Sequence, residues 1–183
     1  MSQRALDKLK AAFGDAILET SNQHGDDTAV VSASKWLEIA KFCRTDSAMD
    51  FNMLTDLTAV DYPEREEGRL EVVMHLYSIG KRHRVRLKAR IGEQELSENP
   101  EIASVSSVWP GANWLEREVF DMFGVSFTGH PDLRRILMYP EFTGHPLRKD
   151  YPANKTQPLI EFRTEEEAGL TLNKVAPFRD DEG

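Results

Sequence analysis

The chain has 183 residues, 40% of them hydrophobic and 30% charged, with a formal net charge of −8. That size suits one domain with a tail left over. The acidic balance excludes nonspecific nucleic-acid binding, which needs a basic footprint. No apolar run reaches the length of a membrane span. The lone cysteine, Cys43, cannot form an internal disulfide or hold an iron–sulfur cluster. Met1 to Asp7 has neither an apolar signal core nor the pattern of a transit peptide. The expectation is a bacterial cytosolic chain that can still sit on a membrane complex.

In chain order, Leu6, Leu9, Phe13 and Ile17 predict a first helix broken near Gly14. Two strands are expected at 16–19 and 28–32, joined by a polar turn from Asn22 to Asp27. Ser34 can cap a second helix running to about Arg44, in which Trp36, Ile39, Ala40 and Cys43 recur at core spacing. This makes Cys43 a small buried hydrophobe rather than a nucleophile. Three strands follow, at 51–61, 69–78 and 82–91, as an antiparallel meander, and 102–109 is expected to add another. In the third helix Asn113 reads as the N-cap, with Glu116 completing a capping box. Leu115, Val119 and Met122 line one face, and Gly124 ends the helix in the left-handed region. Beyond it the periodicity stops, and Pro131, Pro140, Pro146, Pro152, Pro158 and Pro177 punctuate an irregular arm. The α+β domain is set at residues 1–126, and the arm at 127–183 is an extension rather than a separate domain. The acid clusters Glu165–Glu167 and Asp180–Glu182 suggest a solvated end.

Arg82, Arg84, Arg86, Lys88 and Arg90 alternate along one strand and so share a face. They could dock an acidic partner, or simply pair with acids of neighbouring strands such as Glu71. In the third helix Arg117 and Asp121 are spaced to pair. Glu118 and Asp121 are close enough in sequence for acid–base chemistry to be conceivable, with His130 as a companion. Acids early in a helix also simply complement its dipole. His130 and His145 each precede a proline, which holds them extended. No metal-ligand spacing, phosphate loop or nucleophile elbow is present. From these residues alone the reading is a soluble α+β domain with a long arm.

Glu116-Arg117-Glu118, Asp121, Met122-Phe123, His130, Arg134 and Ile136-Leu137 together resemble the signature of the complex I 30 kDa subunit family. Members of that family are the C subunit of the proton-pumping NADH:quinone oxidoreductase. The stretches Leu54–Tyr62 and Gly144-His145-Pro146-Leu147-Arg148-Lys149-Asp150-Tyr151-Pro152 resemble the same family. Phe142 departs from it, since a tryptophan is frequent there. The resemblance implies a two-layer fold, with a mostly antiparallel or mixed sheet and helices on one face. It implies a non-catalytic bracing and assembly role in the peripheral arm, on the cytoplasmic side of the bacterial inner membrane. The main partner would be the quinone-reducing D subunit, with the B subunit nearby. Flavin and iron–sulfur clusters belong to other subunits, leaving none in this chain. Membrane association then comes only through the complex. The implied partner-contact set is Glu116, Arg117, Glu118, Asp121, Phe123, Gly124, His130, Arg134, Arg135, Ile136, Gly144, His145, Pro146, Arg148, Lys149 and Asp150. Glu118→Ala or Arg135→Ala is expected to weaken assembly more than the fold. The alternatives are the equivalent component of a membrane-bound hydrogenase or of a ferredoxin- or F420-linked quinone oxidoreductase, and a stand-alone acid–base enzyme using Glu118, Asp121 and His130.

Overall fold

The computed structural model describes residues 3–96 and 99–157. The acid clusters expected near the C-terminal end lie outside them. Helix α1 (Gln3–Phe13) leads through a short 3-10 turn into strand β1 (Ile17–Gln23), which pairs with β2 (Asp26–Val31). The connecting turn is only His24-Gly25, tighter than the six-residue turn expected. Both residues have positive φ, at 56° and 84°. That is the two-residue hairpin turn whose twist matches the strands it joins.

Helix α2 (Trp36–Thr45) has no side-chain cap. The Ser34 hydroxyl lies 2.9 Å from that of Ser32, and 33–35 form a 3-10 turn. Serine's affinity for nearby polar groups is satisfied locally, so the expected cap does not form. Strands β3 (Met53–Asp61), β4 (Glu67–Ser78) and β5 (His83–Glu93) form the meander. The sheet order is β1-β2-β5-β4-β3, antiparallel except for the β2–β5 pair. Val85, Leu87, Ala89 and Ile91 of β5 join Leu70, Val72, Met74 and Leu76 of β4 in one buried cluster, together with Leu9, Trp36, Ile39 and Val119 of the helices. Period-two alternation thus gives the sheet one apolar face for the helices and one polar face.

The expected strand at 102–109 shrinks to β6 (Glu101–Ala103), paired in parallel with β7 (Ser126–Thr128). Helix α3 (Ala112–Phe123) lies between them and packs on β3. β7 straddles position 126, and from there the arm runs back along α3.

The polar sheet face carries the basic stripe. Lys88 Nζ is 2.7 Å from Glu71, Arg90 bonds Glu19 at 2.8 and 3.0 Å, and Arg84 meets Asp26 at 3.2 Å. Arg82 lies in the turn before β5 with φ of 53°. The cations pair with neighbouring acids, as the plainer reading of the stripe has it.

The seam between the third helix and the arm

Helix α3 and the arm share most of the residues that the sequence singles out. At its start the capping box does not form. Gly111 occupies the N-cap, and the Asn113 N–H donates to the Pro110 carbonyl at 3.3 Å. The Glu116 carboxylate turns inward, accepting from Ser104 Oγ and the Val105 N–H, both at 2.6 Å. The Ser104 N–H makes the last bond to β7, at the Thr128 carbonyl, and the Val105 N–H is committed to the helix. Glu116 is fully buried, and burial pushes its carboxyl up to about 7 against the pull of those two donors.

Five residues on, Asp121 is equally buried but differently held. One oxygen accepts from Arg135 Nη1 at 2.6 Å. The other accepts the successive backbone N–H groups of Ile136, Leu137 and Met138, at 3.0, 2.8 and 2.8 Å. Burial alone would raise this carboxyl. The three N–H groups and the guanidinium outweigh it and hold it below the usual carboxylate range. The expected Arg117–Asp121 pair is absent. Arg117 instead donates to the carbonyls of Arg134 and Arg135, at 3.1 and 3.2 Å. The arm's backbone therefore competes successfully for both ends of that pair.

The carbonyls of a helix's last turn have no partner within the helix. In α3 the C-cap supplies one partner and the arm the other three. The Gly124 N–H takes the Phe120 carbonyl, and His145 Nδ1 lies 3.0 Å from that of Asp121. The Leu147 N–H donates to Met122 at 3.1 Å, and Arg148 Nε donates to Phe123 at 2.6 Å. Gly124 makes this possible twice over. Its φ of 77° suits glycine, and a Cβ there would run into His145 and Arg148. Arg135 Nη2 also donates to the Gly144 carbonyl at 2.9 Å. Phe142 stacks on Tyr151 and meets Tyr139 edge-on, so the departure at this position is filled by a local aromatic cluster.

A second clamp ties the arm to the sheet. Asp61 of β3 is buried and bonded twice by Arg69, at 2.8 and 3.0 Å. Its Oδ2 also accepts the Lys149 N–H at 2.7 Å, and Arg69 reaches Asp150 at 3.1 Å. Sequence reasoning did not single out Asp61, Arg69 or Ser104 as site residues. Asp61 had a signal, since it continues the buried register of Leu57 and Ala59. A carboxylate in that register needs a partner. The β4 irregularity between Glu67 and Leu70 hides the face of Arg69.

Of the expected contact set, Glu116, Asp121, Phe123 and Gly124 are buried, while Ile136 and Pro146 are half-buried. Arg134 is exposed and pairs with Asp132 at 2.9 Å. Glu118 is exposed and makes no hydrogen bond or ion pair among the described residues. The helix and the arm also carry exposed apolar side chains, Trp114 at 62%, Leu137 at 57%, Leu147 at 50% and Tyr139 at 39% exposure. No hydrogen bond or ion pair joins Glu118, Asp121 and His130 into an acid–base site. His130 Nδ1 accepts from the Asp132 N–H at 3.0 Å, and Nε2 lies 3.1 Å from the Asn113 carbonyl. Among the described residues no cluster of histidine, cysteine and carboxylate could hold a metal, and no cofactor site is evident. Cys43 is buried in the core, with desolvation raising its thiol.

The geometry is that of a chain whose charged motif residues fasten one part of itself to another. The family described as "Respiratory-chain NADH dehydrogenase, 30 Kd subunit" matches residues 29–157. The C subunit of the NADH-quinone oxidoreductase of Geobacter sulfurreducens is 47% identical over 82% of this chain and 90% of its own length. Its counterpart in Roseiflexus sp. is 45% identical over 86% and 87%. Among solved structures, a trypsin-resistant fragment (1-134) of Nqo5 is similar with a TM-score of 0.60 and 30% identity, over 72% of this chain and 98% of that one. A chain of an archaeal membrane-bound sulfane sulfur reductase shares the fold at a TM-score of 0.69 and 24% identity, over 91% and 97%. The chain belongs to the 30 kDa subunit family of respiratory-chain NADH dehydrogenase. Within the NADH-quinone oxidoreductase complex its place is that of the C subunit.

Proposed function

We propose that this chain is a non-catalytic brace of the complex's peripheral arm, on the cytoplasmic side of the bacterial inner membrane. It holds the quinone-reducing D subunit, with the B subunit nearby. The observation that carries the reading is the seam. Asp121, Arg135, Asp61 and Arg69 hold the arm against α3 and β3, and the apolar side chains of Trp114, Leu137, Tyr139 and Leu147 are left facing outward. A set of large apolar side chains held on a rigid backbone is what a partner surface uses. The segment from 127 serves here as an extension of the one domain, not a domain of its own. The contact role then divides. Glu116, Asp121, Gly124, Arg135, His145, Arg148 and Lys149 shape the surface from behind, whereas Glu118, Arg134 and Leu137 touch the partner.

Among the described residues no helix is long and apolar enough to cross a membrane, so in this reading attachment comes through the complex. Quinone and the redox groups sit in other subunits, and the brace affects turnover by fixing their spacing, where about an ångström of misplacement costs rate. The test is to mix the purified chain with the quinone-reducing partner at micromolar concentration on a sizing column. Co-elution in one peak is expected; two separate peaks contradict the reading.

A further inference from the structure

We propose that Glu116 is a reversible protonation site of this chain, reached from solvent through the hydroxyls of Ser104 and Ser106. The carboxyl is 0% exposed, between α3, the end of β6 and the segment after β7. Its Oε2 is 2.6 Å from Ser104 Oγ, which is 2.7 Å from Ser106 Oγ, and Ser106 is half-buried. This is a continuous row of three oxygens from the interior to the surface.

Among the described residues no full cation neutralises a charge on Glu116. The only basic side chain within 4.0 Å among the described residues is His130, whose Nε2 is 3.8 Å from Oε2. His130 Nδ1 accepts the Asp132 N–H, so the ring is the neutral tautomer with its proton on Nε2, directed at the Asn113 carbonyl. On its own helix Arg117 is committed to the arm's carbonyls, Glu118 is exposed, and Asp121 is enclosed by Arg135 and backbone N–H groups. β3, on which α3 packs, carries Asp56, which is exposed, and Asp61, which is bound to Arg69. Among the described residues an ionised Glu116 thus has two donors and no counter-cation in a buried site, which favours the neutral form.

The neutral form fits without moving a heavy atom. A solvent proton joins Ser106 Oγ, the Ser106 proton passes to Ser104 Oγ, and the Ser104 proton passes to Oε2. One O–H bond forms at each oxygen as the next one breaks. Oε2–H then donates to Ser104, and Ser104 O–H donates to Ser106. Burial sets the midpoint of this uptake at about 7.

The raised value has a definite sign in stability. The folded chain binds this proton more tightly than the unfolded one. The contribution is complete below the ordinary glutamate value of 4.5 and is lost as pH rises through about 7. Between those limits the folding equilibrium changes by up to about tenfold per pH unit.

The test is a carbon-13 NMR titration of the full chain labelled at glutamate carboxyls. One carboxyl is expected to titrate near pH 7 and to vanish in Glu116→Gln, with the Val105 amide proton shifting at the same midpoint. Ser104→Ala should raise the midpoint, because it removes a donor to the charged form. If every glutamate carboxyl titrates below about pH 5, the ordinary range, the proposal is overturned. If Ser104→Ala leaves the midpoint unmoved or lowers it, the Ser104 hydrogen bond to the carboxylate is overturned; if it leaves the rate of proton exchange at the carboxyl unchanged, the hydroxyl route is overturned. The wild-type titration needs no variant to fold.

Discussion

The polar sheet face and the α3–arm seam are built from the same residue types, yet they do different work. On the sheet face Arg90 meets Glu19, and Arg84 meets Asp26, with each side chain a third or more exposed to water. Such pairs are screened and contribute little. In the seam Asp121 is buried against Arg135 and three consecutive backbone N–H groups, and Asp61 is buried against Arg69 and the Lys149 N–H. There the carboxylates anchor backbone. The described part of the arm has no strand of its own beyond β7, and these bonds, with those of Arg117, Leu147 and Arg148 to backbone carbonyls, fix its path. Removing an acid leaves N–H groups and a cation without partners.

Substitutions can separate the two regions, and the largest effect should fall in the seam. Asp121→Ala is expected to lower stability by about 3–5 kcal/mol, the cost of breaking a buried charge pair, read by urea melts. Asp121 and Asp61 are both held below the ordinary aspartate value of 3.8, in each case by donors that outweigh burial. Their contribution is therefore present above pH 3.8 and is lost as pH falls through the depressed folded value. Asp121→Asn should flatten that acid limb; an unchanged slope would put the acid sensitivity elsewhere.

Gly124→Ala comes next, at about 2–4 kcal/mol, from the left-handed backbone and the clash with His145 and Arg148. If its thermal midpoint matched that of the wild type, the arm would not be seated as described. Arg135→Ala should also cost fold stability, since Arg135 bonds both Asp121 and Gly144. That differs from the expectation that its loss acts mainly on assembly. Glu118, exposed and with no hydrogen bond or ion pair among the described residues, keeps that expectation. The smallest effect belongs to the sheet face, where Glu19→Gln should leave the thermal midpoint unchanged in high salt. A clear drop there would mean that the exposed pairs matter more than screening allows.

The elements with strong periodicity were legible in the sequence. The alternation of Val85, Leu87 and Ala89 against Arg84, Arg86 and Lys88 fixes both faces of β5. Gly124 announces the end of α3. Two of the failures share a cause. Asn113 and Arg117 read as bonding within their own turn, and other groups take those places instead, whereas Ser34 is drawn to Ser32 two residues away. Glu116 reaches back to Val105, and Arg117 reaches forward to the arm. No local pattern encodes a bond across such a gap. The family resemblance draws attention to these residues, and the coordinates show that most of them bond within the chain.

The claim that the seam exists to present a docking surface is tested most directly by calorimetry with the quinone-reducing partner, using Trp114→Ala and Leu137→Ala. Both side chains are more than half exposed, so the thermal midpoint of the free chain should stay near that of the wild type. At least one variant should bind that partner about 30-fold more weakly, the size of a roughly 2 kcal/mol hot spot. Wild-type affinity in both variants would contradict the account.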